Sequence, residues 1–229
     1  MPDVRTVTVC LYKTTVTGHI PAAVSALLAV HGIIDAGLTG HFRTITPTRT
    51  ARLLRRTDTS GVLQPEGGTA AGGPVRVLDL DAMREDLAQR YWNRWQLWQQ
   101  IVAGTPEPKP WWQFYDRHAA DPDKFSWDAA RSAFTSQTRV ARMLTFNAHP
   151  GRPTDLPTDQ LDAFDAGPHA YATYGWLQAV PAETMLTADG RLLRPVSLRY
   201  ADHLEYLREA NDHLAGLADG DILVAVTPK

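Results

Sequence analysis

The sequence predicts an α+β protein: an antiparallel, ferredoxin-like (split βαβ) sheet carrying a helical, Trp-rich insertion. Three observations predict it. Alternating, β-branched segments stand near the two ends of the chain, at 4–12 and 222–226. Long apolar or amphipathic helical stretches alternate with the strand segments, giving β-α-β, then β-α-β once the middle is set aside. Six of the seven tryptophans fall between Trp92 and Trp127, in a block that also holds Tyr91, Phe114, Tyr115 and Phe125. Tryptophan is large, apolar and tipped by an N–H that needs a partner, so this block marks a core or a binding surface.

The segment 4–12 (VRTVTVCLY) reads as the first strand. Pro21 suits a first helical residue, and Ala22–Ala36 is a nearly all-apolar helix stopped by Gly37. His41–Thr46 returns as a strand. Thr57–Pro74, with five glycines and two prolines, reads as a loop. Val75–Leu78 is a short strand, and Asp81 is placed to cap a helix over Ala82–Ala103. Trp112–His118 reads as a short helical turn, and Ser126 caps a second long helix reaching Asn147. Tyr171–Ala179 and Thr184–Leu193 read as strands, with Asp189-Gly190 as a turn signal. Ser197 caps the helix Leu198–Leu217, and Ile222–Val226 closes the sheet.

At 229 residues the expectation is one elaborated domain, with a sheet portion at 1–79 and 171–229 and a helical insertion at 80–165. A net charge of −2 argues against a wholly basic nucleic-acid coat while leaving room for a local basic patch. Arginine outnumbers lysine 19 to 4, which fits a GC-rich coding sequence. Cys10, the only cysteine, allows no intramolecular disulfide and no thiolate cluster, and its alternating context reads as a buried structural thiol. The longest apolar stretch, Ile20–Ile34, is interrupted by Ser25, His31 and Gly32 and is too short to span a bilayer. No membrane association and a cytoplasmic location are the expectations.

Few constellations carry chemistry. The segment from Arg43 through Arg49, Arg52, Arg55 and Arg56 has no acid between Asp35 and Asp58. With Trp92 it would offer cations for a nucleic-acid backbone and a ring for a base, although such a run also serves as a basic loop that pairs with nearby acids. On the helix 82–103, Arg94 falls in the middle of the face formed by Met83, Leu87, Tyr91, Trp95 and Trp98. It either pairs internally or serves as an anion-binding arginine among rings. Gln137 stands near the centre of the apolar arc of the next helix, where a buried amide needs partners at both ends and marks a polar network or a ligand contact. His203 stands on the apolar arc of the C-terminal helix beside Asn211, as a core histidine or an acid–base group.

Asp79-Leu80-Asp81 resembles a metal-binding DxD, but a strand end followed by a capping Asp gives the same string, and no third carboxylate is identifiable. No metal or cofactor is expected. GxGxxG, a Walker A lysine loop, GxSxG and paired CxxC motifs are absent from the sequence. Three functional readings follow. The first is a binding or processing factor for single-stranded nucleic acid or RNA. The second is a non-catalytic assembly protein docking its aromatic block on a partner or a second copy. The third is a small-molecule enzyme with a pocket between sheet and insertion, using Arg94, Gln137 and His203.

Overall fold

A computed structural model describes residues 6–16, 19–45, 62–64, 66 and 68–228. Contacts divide the chain into two compact units: Met1–Leu87, Trp176–Val196 and Asp202–Lys229 form the first, Ala88–Gly175 and Ser197–Ala201 the second. The protein mixes α and β structure, with eight α-helices among the described residues and a mostly antiparallel multi-strand sheet.

In the first unit, β1 (Val7–Leu11) and β8 (Ile222–Pro228) pair antiparallel in the register Val7 with Val226 and Leu11 with Ile222. The opposite edge of β8 receives β2 (Asp35–Leu38) near Val226 and β5 (Gly72–Pro74) along Ile222–Val224. These pairings confirm an antiparallel-rich α+β architecture but not the ferredoxin-like split βαβ order, because β8 takes partners along both edges. Short ladders join β3 (Phe42–Arg43) to β4 (Thr69–Ala70), and β6 (Thr184–Leu186) to β7 (Leu192–Leu193).

Alternation along β1 and β8 builds one core. Val7, Val9, Leu11, Ile222, Val224 and Val226 cluster with Ile20, Val24 and Leu28 of helix α1 (Ile20–Val30). The helix ends earlier than its apolar composition predicts. Gly32 takes a left-handed φ of +67°, and Gly32 N and Ile33 N bond back to Ala29 O and Leu28 O, closing a Schellman-type end before β2 begins. Cys10 is fully buried on β1, and burial pushes its thiol up to about 12, which removes it from nucleophilic chemistry.

Helix α2 (Leu80–Val102) starts in the first unit and continues into the second. The second unit also holds α3 (Trp111–Ala120), α4 (Trp127–Thr135), α5 (Thr138–Ala148), α6 (Leu161–Asp165) and most of α7 (Pro168–Gln178). Helix α8 (Tyr200–Ala215) has its larger part in the first unit.

Several local expectations fail: 69–70 and 72–74 of the expected loop Thr57–Pro74 are the strands β4 and β5, the helix cap expected at Asp81 falls to Asp79, and three more fail for identifiable reasons. Tyr171–Ala179 reads as a strand because Tyr and Thr favour strands, yet it is helical. Tyr171, Tyr174 and Gly175 recur at helical spacing and are buried together, and such packing overrides propensity. The single helix expected from Ser126 to Asn147 is two helices. The hydroxyls of Thr135 and Ser136 donate back to Arg131 O and Ala133 O, and Gln137 is extended as the first cap of α5. Val75–Val77 is a 3₁₀ turn rather than a strand. Ser126 caps α4 as expected, accepting from Ala129 N at 3.2 Å. Among the described residues no helix is long and apolar enough to cross a membrane.

Two glycines are held by close approach. A Cβ on Gly72 would collide with Leu223 O and lie 2.9 Å from Val224 Cα, where the backbone of β8 has no room to move. Gly72→Ala is therefore expected to lower stability measurably in urea unfolding, by more than about 1 kcal/mol. A Cβ on Gly175 would lie 2.5–2.9 Å from three atoms of Tyr91. Helix propensity alone favours Gly175→Ala by about 1 kcal/mol. The clash predicts the opposite sign, a lower melting temperature, and a gain would show that Tyr91 moves aside freely.

Candidate functional site

The first unit contains an open groove of about 740 Å³. Val75, Leu78, Leu177 and Leu214 supply apolar lining, and Asp79, Asp81, Arg84, Trp176, Arg208, Asn211 and Asp212 supply the chemistry. The backbone that carries these groups is tied to the sheet. Val75 N donates to Asp221 O at 2.8 Å and Arg76 N to Asp219 O at 3.1 Å, which anchors the 3₁₀ turn beside the start of β8. Asp79 N then donates to Arg43 O, and Asp79 Oδ1 accepts from Ala82 N at 3.3 Å as the cap of α2. One turn later comes Arg84.

Arg84 is the best-held charge in the groove. Its side chain is 15% exposed, Nη1 faces Asp81 Oδ1 at 3.2 Å, and Nη2 donates to Asn211 Oδ1 at 3.3 Å. The guanidinium carbon lies 4.7 Å from the centroid of Trp176, within cation–π range. Asn211 is itself fixed, since its Nδ2 donates to Leu177 O and Leu207 O, both at 2.8 Å. Arg84 Nε is buried and has no partner among the described residues, an unusual state for a guanidinium donor. Trp176 stays 39% exposed. A ring and a fixed guanidinium thus stand in an open groove of mixed polar and apolar lining.

The residues singled out in the sequence are distributed differently. Arg43 lies on β3 and pairs with Asp86 at 2.5 Å, both side chains half-exposed. Arg49, Arg52, Arg55 and Arg56 lie outside the described residues. Trp92 is half-buried with its ring 5.0 Å from that of His169. Arg94 is in the second unit, where its Nε meets Thr154 Oγ1 and its Nη1 meets Tyr171 Oη. Gln137, in the same unit, works as a clamp: Oε1 accepts from Lys109 N, and Nε2 donates to Lys109 O and Phe134 O. His203 is half-buried on the first-unit part of α8. Arg94, Gln137 and His203 therefore each have their own setting. Asp79 and Asp81 are used by a helix cap and an ion pair.

Arg84, Arg208, Asn211 and Asp212 carry no motif, so sequence reasoning missed them as site residues. Trp176 left a faint signal: it is the one tryptophan outside the aromatic block. No protein-family model matches the chain, and neither a curated protein nor a solved structure matches it.

Histidine chemistry near the sheet gives the first unit an acid sensitivity. Ala188 N donates to His213 Nε2 at 3.2 Å, so that nitrogen is an unprotonated acceptor. Burial lowers the His213 pKa, with Arg191 adding to the effect and Asp189 opposing it. Burial likewise lowers His41, against carbonyl bonds from Val180 and Ala179. Both groups bind protons more weakly folded than unfolded, where the value is 6.5. Their contribution to stability is full above that value and is lost as pH falls through the lowered folded values. Urea midpoints measured from about pH 7.5 to about pH 5 should fall with acidification, and His213→Gln should flatten the slope.

Proposed function

We propose that this chain is a binding protein for a small amphoteric molecule, one carrying both a cationic and an anionic group, held in the groove of the first unit. The observation that carries the reading is Arg84, a mostly buried guanidinium fixed by Asn211 and Trp176 in a groove of 740 Å³. That volume lies within the range of small-molecule sites. Asp79, Asp81 and Asp212 line the groove together with Arg84 and Arg208, so it holds both signs of charge. An anionic group is drawn to the guanidiniums and an ammonium to the carboxylates, while Trp176 offers a ring surface. A polyphosphate is disfavoured by three carboxylates against two guanidiniums. Isothermal titration with L-tryptophan and with L-arginine as probes should give saturable binding, weakened at least tenfold in Arg208→Gln and in Asp212→Asn. Both side chains stand on the exposed side of α8, so folding is spared. Absence of saturable binding by either probe at millimolar concentration, with folded protein, sinks the reading.

A second reading is assembly through the aromatic block, favoured by Trp127 and Tyr115, which are 45% and 42% exposed with ring centroids 6.2 Å apart. Aromatic surface of this kind suits an interface core. Nucleic-acid association rests on the arginine run, and of its named residues Arg43 and Trp92 already face Asp86 and His169. Light scattering tests assembly, and a labelled oligonucleotide titrated at several salt concentrations tests nucleic-acid binding, whose affinity would fall as salt rises.

A further inference from the structure

We infer, building on the reading of the first-unit groove as an amphoteric site, that its ligand is a free aromatic α-amino acid, with the carboxylate on Arg208, the ammonium on Asp212 and the ring against Trp176. The charged groups of the lining are of two kinds. Asp79 caps α2 through Oδ1, Asp81 and Arg84 pair with each other, and Arg84 is bonded to Asn211 as well. Arg208 and Asp212, both exposed on α8, have no hydrogen-bond or ion-pair partner for their side chains among the described residues. The uncommitted charges of the lining are thus one guanidinium and one carboxylate.

These two residues stand four positions apart on one helix, a spacing that puts Cβ atoms about 5–6 Å apart and commonly lets opposite charges pair. Here the base precedes the acid, the less favourable order along a helix, and the side chains do not pair. An ammonium and a carboxylate carried on one carbon satisfy both charges at once, whereas a ligand with a single charge leaves one of them unmet. Trp176 specifies the rest of the ligand. The Arg84 guanidinium carbon lies over its ring, 4.7 Å from the centroid, and the side chain is still 39% exposed. A second cation on this ring would stand against the Arg84 charge, while an aryl group stacks without that repulsion. The volume of about 740 Å³ admits a ligand of this size.

Titration calorimetry of the full chain near pH 7 with L-tryptophan, L-arginine, tryptamine and indole-3-propionate is the test. L-Tryptophan should bind at least tenfold tighter than tryptamine and indole-3-propionate, each of which lacks one charge, and severalfold tighter than L-arginine. The variants should then cross. Arg208→Gln should weaken L-tryptophan and indole-3-propionate and leave tryptamine unchanged. Asp212→Asn should weaken L-tryptophan and tryptamine and leave indole-3-propionate unchanged. Where an analogue binds too weakly to titrate, a tenfold loss of L-tryptophan affinity in each variant decides. Trp176→Leu should narrow the preference for L-tryptophan over L-arginine, and if it fails to fold, that preference in the native chain carries the ring contact. Glu205→Gln, exposed on α8 outside the lining, should change no affinity. No saturable binding of L-tryptophan or L-arginine overturns the amphoteric reading and this assignment together. Saturable binding in which L-arginine or either singly charged analogue equals L-tryptophan, or variant responses that do not cross, overturns the amino-acid assignment alone.

Discussion

The hydrogen-bonding of β8 along both of its edges is the constraint on which the first unit depends. One edge takes β1 over five residue pairs; the other takes β5 over Ile222–Val224 and β2 further along. With both edges and both faces covered, Ile222–Val226 can be continuously apolar without inviting a foreign strand. Gly72 is the condition for this arrangement, because a side chain there would meet the backbone of β8. The start of β8 is pinned as well: Asp221 accepts from Lys13 N and Ala218 N, at 2.9 and 2.8 Å. Since Asp219 and Asp221 also accept from the turn that precedes α2, the sheet fixes where Asp79 caps the helix. The placement of Arg84 in the groove follows.

The second unit meets its polar demands by another route. Most of its tryptophans pack against other rings, tilted or edge-on except for Trp98 on Phe164, and their N–H groups reach acceptors where the chain supplies them. Trp95 donates to Phe164 O at 2.8 Å and Trp112 to Asp162 Oδ2 at 2.7 Å. Trp98 stacks on Phe164, 4.9 Å apart and nearly parallel, but its buried Nε1 has no partner among the described residues. Arg139 lies over the ring of Trp98 and is neutralised by Asp165. Asn147 and Gln137 act as two-way clamps, Asn147 by giving to Leu156 O and taking from Leu156 N, both at 2.8 Å. A side-chain amide replaces a missing backbone partner in this way at low cost, because donor and acceptor are satisfied together. Arg94 stands out against this background as a charge met only by neutral groups.

The sequence by itself determined the terminal strands, read at 4–12 and 222–226 and found at 7–11 and 222–228, the capping of α4 by Ser126, the Asp189-Gly190 turn between β6 and β7, and the inert burial of Cys10. These features rest on nearest neighbours: alternation, a cap, a turn dipeptide, an apolar context. What only the tertiary structure decided is what depends on partners far along the chain. Tyr171–Gln178 became helix because its tyrosines pack with Tyr91 at helical spacing, against their own strand preference. The pairing of β8 along both edges depended on residues 7–11, 35–38 and 72–74 arriving together, which alternation cannot encode. Arg84, Trp176 and Asn211 are separated by up to 127 positions and meet through the packing of three helices. No local pattern marks such a meeting, because the forces that specify it act between side chains that the sequence holds far apart.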